Sequence, residues 1–485
     1  PEVTDVQGLI SILETKNISE QLFLSGTHQK VLQALHQADY LSPRYHVVVA
    51  NPPYMGGGNM NSGLSTFAKK NYPASKSDLF SMFIERGFLM AIRSGYVSMV
   101  TMQSWMFLSS FEALRSSLVS EKTISCMVHM ANMVMGIAFG TAATVWKNTF
   151  DRYQKGSYCY IEYENLSNGK PIKFPPRNAR NDKAFTQGDS DGFYRVSADE
   201  FQKIPGSPIA YWASKKVLQL FGYQTPLSRL LETREGMTTG SNETFLRFWY
   251  EISLSNIGFK IKNINESIES RKYFFPYIKG GEFRRWAGNY EYIVNWYNDG
   301  QYLKRFQDPI TGRVRSHNYN GEYAFKTGLT WSGLTSGSFS VRHVPQGFKF
   351  DAKGPMGFPF DYDMQFLYEA YLNSKVTNHL IQMLAPTLDF KLGHVLNLPI
   401  IIPSLENTIS EACSKAIEIN LIDWDSYETS WDFTSLPLID ASYRGDTLSS
   451  TYSNLRAHWN EMTLEMKRLE EENNRIFIEA YGLED

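Results

Sequence analysis

Cysteine is scarce in this chain: Cys126, Cys159 and Cys413 are widely separated and odd in number. A disulfide framework has nothing to build on, no paired spacing resembles a zinc knuckle, and a reducing cytoplasm fits best. Long apolar runs are lacking too. None approaches the roughly 18–20 residues that span a bilayer, so no membrane association is expected. The chain opens on Pro1 with no signal-peptide pattern behind it, as a piece of a longer protein would. Its nine histidines show no metal-ligand pairing, and no metal is expected. Nor is there a net excess of either charge, since 48 basic residues face 50 acidic ones.

What the chain does have is charge and texture in separate places. From Arg271 to Phe350 twelve Lys and Arg face five Asp and Glu, a balance of +7. From Ser404 to Asp485 six face seventeen, a balance of −11. A basic middle beside an acidic end predicts a local polyanion-binding surface.

The length allows two or three domains. Residues 1–150 read as α/β. Val47–Ala50 is a short buried strand, Asp78–Ala91 an amphipathic helix with Leu79, Phe83 and Ile84 on one face, and Gly95–Thr101 the next strand. A helix over Phe111–Val119 and strands at Ile124–Met130 and Thr141–Trp146 follow. The alternation predicts a largely parallel sheet with ligands at the carboxyl ends of its strands. Residues 151–225 read as a connector with polar loops around Asn168–Arg180 and Gly188–Gly192. From 226 to 403 short aromatic strands and Gly-Asn turns predict a β-rich α+β region. Residues 404–485 form an acidic helical segment. Within it Leu455, Trp459, Met462, Met466, Leu469, Asn473 and Ile476 recur in a heptad seam, read as a helix packed on its own domain rather than an interchain coiled coil.

The strongest chemical signal is Asn51-Pro52-Pro53-Tyr54, directly after an apolar strand. An adenine amino group is a poor nucleophile because its lone pair is delocalised into the ring. Hydrogen-bond acceptors on its two protons favour the pyramidal nitrogen that attack on a methyl donor requires. The Asn51 side-chain oxygen and the Pro52 carbonyl are the candidate acceptors, and the prolines stiffen the loop that aims them. Tyr54 offers a flat face to a base swung out of the duplex, a contact worth roughly 1–3 kcal/mol. Phe139, in Ala138-Phe139-Gly140, is the candidate to stack on that base opposite Tyr54. Each signal has a plainer reading: a strand-ending turn, an N-cap at Asp78, a core aromatic at 139. A donor also needs a glycine-rich turn after a first strand. None lies upstream of Asn51, where only about 45 residues precede the strand. Asn51 alone is expected to border the donor, with most of that pocket upstream.

Two stretches read as DNA contacts. Gly236–Asn242 is rich in small hydroxyl residues, with Thr239, Gly240 and Asn242 as candidates. Tyr277–Trp286 combines Lys279, Arg284 and Arg285 with aromatics. The plainer alternative for both is a solvated loop. Two loose echoes of nuclease acid–acid–lysine sites, Asp5 with Glu14 and Lys16, and Asp446 with Glu465 and Lys467, read better as surface charge.

Taken together, the Asn51–Tyr54 motif, the run Ile204–Trp212, the stretch Lys279–Trp286 and Phe350-Asp351 followed by Gly354-Pro355 resemble the PglX family, the adenine-specific methyltransferases of BREX phage-defence systems. Leu372–Ile400 is similar to the end of the recognition domains in restriction–modification specificity subunits. The resemblance implies the second half of a Rossmann-like class I methyltransferase sheet in 1–150, a DNA target-recognition domain in 226–403 and a C-terminal helix. It also implies S-adenosylmethionine as methyl donor, double-stranded DNA and other BREX proteins as partners, and a bacterial cytoplasm. The alternatives are a recognition subunit without turnover and the methyltransferase part of a fused restriction–modification enzyme. A glutamine methyltransferase acting on release factors shares the motif, but such enzymes carry no long β-rich region behind it.

Overall fold

Tyr45–Ala50 (β1) is extended because three consecutive valines favour the pleated backbone, and Pro52-Pro53 stops it abruptly. The computed structural model describes residues 5–16, 22–168, 170–171, 193–335, 337–386 and 389–484. The polar loops expected at 168–180 and 188–192 fall almost wholly outside them. The chain divides into two compact units, Pro1–Leu218 and Gln219–Asp485. The division falls inside the stretch read as a connector.

In the first unit, helices α1 (Val6–Thr15) and α2 (Leu22–Leu41) precede β1. After it come α3 (Ser62–Asn71), α4 (Leu79–Met90), β2 (Ala91–Met102), α5 (Glu112–Glu121), β3 (Thr123–Met130), β4 (Thr141–Lys147), β5 (Lys155–Ile161) and β6 (Phe193–Ser197). Six strands form one sheet in the order β1-β2-β4-β3-β5-β6, so the sheet continues past residue 150.

Only β1/β2 and β3/β5 pair parallel; β2/β4, β3/β4 and β5/β6 are antiparallel. The expectation of a largely parallel sheet is therefore corrected. The ten residues between β3 and β4 are too few for a crossover helix, so β4 returns antiparallel and slots between β2 and β3.

Helix α4 begins at Asp78, whose carboxylate accepts from the Phe80 amide at 3.2 Å. Its buried face runs Phe80, Ile84, Gly87, Phe88, one helical stripe against the sheet. Phe83, expected on that side, is exposed instead. At Gly87 an added Cβ would lie 2.7 Å from Met99, so the absence of a side chain lets the helix approach β2 closely. Phe80, Ile84, Trp105 and Trp146 belong to the core of this unit, and truncating one of its buried aromatics to Ala would cost about 3–5 kcal/mol. The opposite face is bare near the sheet edge: Val47 and Val49 of β1 are 56% and 73% exposed.

The second unit holds two four-stranded sheets. β7 (Leu231–Arg234), β14 (Met356–Pro359), β11 (Gly328–Trp331) and β12 (Val341–Val344) lie in that order, all antiparallel. β8 (Leu246–Phe248), β10 (Tyr292–Asn295), β9 (Phe274–Ile278) and β13 (Lys349–Phe350) form the other, with only β9/β13 parallel. Helices α6 (Gln365–Leu372), α7 (Lys375–Leu384), α8 (Glu406–Asp425) and α9 (Leu448–Tyr481) follow.

The heptad seam of α9 packs within this unit. Leu455, Leu469 and Ile476 are buried, and the polar position Asn473 donates to the Ala370 carbonyl at 2.9 Å. Trp459, at the middle of the seam, stays 42% exposed. Among the described residues no helix is long and apolar enough to cross a membrane.

Candidate active site

The parallel pairing of β1 with β2 sends both strands' carboxyl ends to one edge, and β4 starts there because Thr141 pairs with Met102. Asn51 after β1, Gln103 after β2 and Gly140 before β4 therefore share the edge where open α/β sheets bind ligands.

Pro52 is buried while Asn51 and Pro53 are exposed, so the loop is anchored by one ring and presents the asparagine. Tyr54 is half-buried, and its hydroxyl donates to the Val100 carbonyl at 3.2 Å. Burial raises its phenol pKa, which keeps the donor protonated. Its ring meets Phe80 and Phe139 edge-on, at centroid distances of 6.0 and 5.7 Å. Phe139 and Tyr54 thus come together as the sequence reading required, but in mutual contact. No space for a base lies between them in this conformation.

Asp78 fixes the exit of the loop. One carboxylate oxygen accepts from the Met55 amide at 3.0 Å and from the Phe80 amide at 3.2 Å, while the Leu79 amide donates to the Met55 carbonyl at 3.0 Å. The residue that caps α4 is also the one that pins the motif.

A buried polar chain beneath the Phe139 loop had escaped the sequence reading. The Gln103 amide donates to the Gly140 carbonyl at 3.0 Å, and a Cβ at Gly140 would strike the Gln103 side chain at 2.4 Å. Gln103 Oε1 lies 2.6 Å from His129 Nε2, and His129 Nδ1 lies 2.9 Å from the Tyr211 hydroxyl. Burial pushes the His129 pKa down to about 4 and the Tyr211 phenol upward. The neutral imidazole can donate from Nε2 to Gln103 and accept from Tyr211 at Nδ1. The available signals were a histidine inside an apolar strand and the run Ile204–Trp212, noticed for another reason.

In the second unit, Thr239 is buried and its hydroxyl donates to Asn242 Oδ1 at 2.7 Å. Gly240 has φ +74°, and an added Cβ would meet Arg315 at 2.8 Å. Thr238 exchanges backbone bonds with His317 at 2.8 and 3.0 Å. This loop is thereby tied to the segment around 315–317.

Lys279 lies over the Tyr292 ring at 4.6 Å. Arg284 lies over the Trp424 ring at 5.0 Å, with Asp423 at 3.5 Å, and Arg285 pairs with Glu470 at 3.0 Å. Trp286 Nε1 donates to the same Glu470 at 2.9 Å. Within Lys279–Trp286, helices α8 and α9 thus supply carboxylates to both arginines. Of the nuclease echoes, Asp5 caps α1 and Glu465 pairs with Arg468 and Lys415. Among the described residues no group of three or more His, Cys, Asp or Glu is arranged to hold a metal.

Residues 4–134 match the Eco57I restriction-modification methylase family. Over 99% of its length the chain is 38% identical to the adenine-specific methyltransferase PglX of Lacticaseibacillus casei (strain Zhang). Over 93% it is 35% identical to the adenine-specific methyltransferase BrxX of Escherichia coli O9:H4 (strain HS). The chain spans 40% and 35% of the lengths of these two relatives. The resemblance read from the sequence is thus borne out. Among solved structures, the Type IIL restriction-modification enzyme MmeI in complex with DNA matches 90% of this chain and 55% of its own, with a TM-score of 0.54 at 14% identity. At that identity the likeness is one of fold, and it supports the α/β class.

Proposed function

We propose that these residues are the adenine-facing part of a site-specific N6-adenine DNA methyltransferase of a BREX-type phage-defence system. The observation that carries this reading is the Asn51–Tyr54 loop at the carboxyl edge of the sheet, pinned by Asp78 and packed against Phe139.

In this reading the target adenine leaves the duplex and its amino group enters the edge beside Asn51. The Asn51 side-chain oxygen and the Pro52 carbonyl accept hydrogen bonds from its two N–H groups, which favours the pyramidal nitrogen and localises its lone pair for attack. Tyr54 holds the base by its ring face, and its hydroxyl, bonded to Val100, fixes the ring's tilt. Phe139 has to part from Tyr54 to admit a base.

S-adenosylmethionine, when bound, supplies the electrophilic methyl group. The residues present fit one wall of its pocket: Asn51 is exposed at the end of β1, beside the bare face carrying Val47 and Val49. No glycine-rich turn upstream of Asn51 completes it, so we assign the remaining wall to chain beyond these 485 residues. Calorimetry on the isolated chain tests that assignment, since tight donor binding would put the whole pocket inside it. Duplex DNA is the proposed substrate, read by the second unit, with other BREX proteins as partners in the bacterial cytoplasm.

The decisive experiment is methylome sequencing of cells carrying the full-length protein or its Asn51→Ala variant. A modified adenine motif present in the first and absent from the second is expected. Identical methylomes would end this reading.

A further inference from the structure

The basic middle of the chain holds twelve cations between Arg271 and Phe350, and the structure separates those that are occupied from those that are available. Arg342 and Lys349 are buried. Arg284, Arg285 and Lys304 face carboxylates. Lys279 and Lys326 lie over tyrosine rings, and Lys272 donates to a backbone carbonyl. Four remain without a carboxylate or backbone partner among the described residues: Arg271, Arg305, Arg313 and Arg315, the last with its guanidinium over the Phe306 ring at 5.9 Å. Three of these four sit within one short span, and all three are exposed.

That span is a β-hairpin. The Arg315 amide donates to the Phe306 carbonyl at 2.9 Å, the Asp308 amide to the Arg313 carbonyl at 2.8 Å, and Gln307 bridges Val314. Its root is anchored, because the Phe306 ring packs edge-on against Phe245 at 5.2 Å and Phe245 belongs to the core of the second sheet.

Its tip is ordered by Asp308, whose Oδ1 accepts from the Ile310 amide at 3.0 Å, the Thr311 amide at 2.8 Å and the Thr311 hydroxyl at 3.1 Å. Those bonds hold the Asp308 carboxyl below its ordinary pKa. Gly312, at φ +66°, closes the turn in a conformation other residues resist. On this fixed tip stands Ile310, 92% exposed. The turn thus presents a branched apolar side chain next to the exposed Arg313 and Arg315.

We propose that the hairpin Phe306–Arg315 enters a groove of duplex DNA, with Arg305, Arg313 and Arg315 on the flanking phosphates and Ile310 wedged against a base step. The chemistry is complementary on both counts: exposed guanidinium groups neutralise phosphates, and apolar side chains on basic elements unstack bases. The loop carrying Thr239 and Gly240 backs onto this hairpin through Thr238–His317 and Gly240–Arg315, which makes it a support rather than the contact itself. The inference rests on the reading of the protein as a DNA methyltransferase, which supplies the duplex.

The test uses full-length protein and two duplexes, one carrying the motif found by methylome sequencing and one lacking it. Affinity is measured at several salt concentrations, with thermal unfolding as the folding control. Arg313→Ala with Arg315→Ala is expected to weaken binding to both duplexes and to lower the salt slope by about two units. Arg313→Lys with Arg315→Lys should keep the slope. Ile310→Ala should lower affinity for the motif duplex roughly tenfold and leave the slope alone. An unchanged slope in the double alanine protein, or wild-type selectivity in Ile310→Ala, would overturn the proposal. The Asn51→Ala protein separates the two claims. If it binds both duplexes normally yet transfers no methyl, the enzyme reading stands whatever the hairpin does; if the wild type transfers none, that reading falls while the binding data still judge the hairpin.

Discussion

The Asn51–Tyr54 loop and the Lys279–Trp286 stretch carry comparably conspicuous sequence patterns, and the structure treats them in opposite ways. The loop's geometry is set mostly by near neighbours: β1 before it, two prolines within it, and Asp78 at its exit, 23 residues on. The basic stretch takes its partners from far away. Arg284 meets Asp423 across 139 residues, and Arg285 meets Glu470 across 185. A motif whose constraints are local keeps its meaning when the chain folds. A cluster of one charge acquires its meaning from whichever opposite charges the fold delivers, and here the acidic helices reach Arg284 and Arg285 first.

The sharpest way to probe the local half of this contrast is Tyr54. Under the proposed function, Tyr54→Ala in the full-length protein takes away the ring face assigned to the base and is expected to reduce methyl transfer by about 100-fold, from roughly 1–3 kcal/mol of stacking plus the loss of loop packing. Tyr54→Phe removes only the bond to Val100 and should cost less than about tenfold. Equal losses in single-turnover kinetics would remove the stacking role.

Smaller effects are expected on the long-range side, and on stability rather than transfer. Glu470→Ala takes the partners of Arg285 and Trp286 away together, in a partly buried setting. Denaturant titration should show a loss of about 1–3 kcal/mol, with affinity for random duplex unchanged. Arg284→Ala should cost less, because Asp423 is more than half exposed and the pair is long. If Arg285→Ala instead weakened DNA binding and left stability alone, the contrast drawn above would break.

The mildest prediction concerns a cation the fold has hidden. Burial against Trp296, 3.5 Å away, pushes the Lys349 pKa down to about 7. The unfolded lysine titrates near its ordinary value, so between these two limits the unfolded chain binds more protons than the folded one. Stability should therefore rise as pH increases from about 7 toward 10, and be lowest below 7 where both states are protonated. Lys349→Met should flatten that slope and stabilise the chain at pH 6 by about 1–2 kcal/mol in denaturant titrations.

Much of the first unit was legible because its signals repeat along the chain. Apolar runs gave β1, β3 and β4 close to their observed limits and β2 from Gly95, four residues inside its start at Ala91, and Asp78 marked the start of α4. Strand partners were not legible, since hydrogen bonding between strands leaves little trace in either strand's own residues. The insertion of β4 followed from a ten-residue connection whose topological consequence the alternation of elements had masked. The face of α4 was misjudged at Phe83 because two overlapping apolar stripes share that helix, and only the position of Met99 and Gly87 selects between them. Gln103, His129 and Tyr211 were invisible as a set, as their contacts span up to 82 residues and each is ordinary alone.

By itself, then, the sequence determined the strand-ending loop at Asn51–Tyr54, the alternation of the first unit and the seam along α9, because each depends on bonds and periodicities between residues near one another in the chain. Tertiary structure alone decided which arginines are engaged, which lack a carboxylate partner among the described residues at the hairpin Phe306–Arg315, and which polar residues support the Phe139 loop. Charge and hydrogen-bonding capacity are written in every residue, but a partner exists only where folding has brought one within about 3–4 Å.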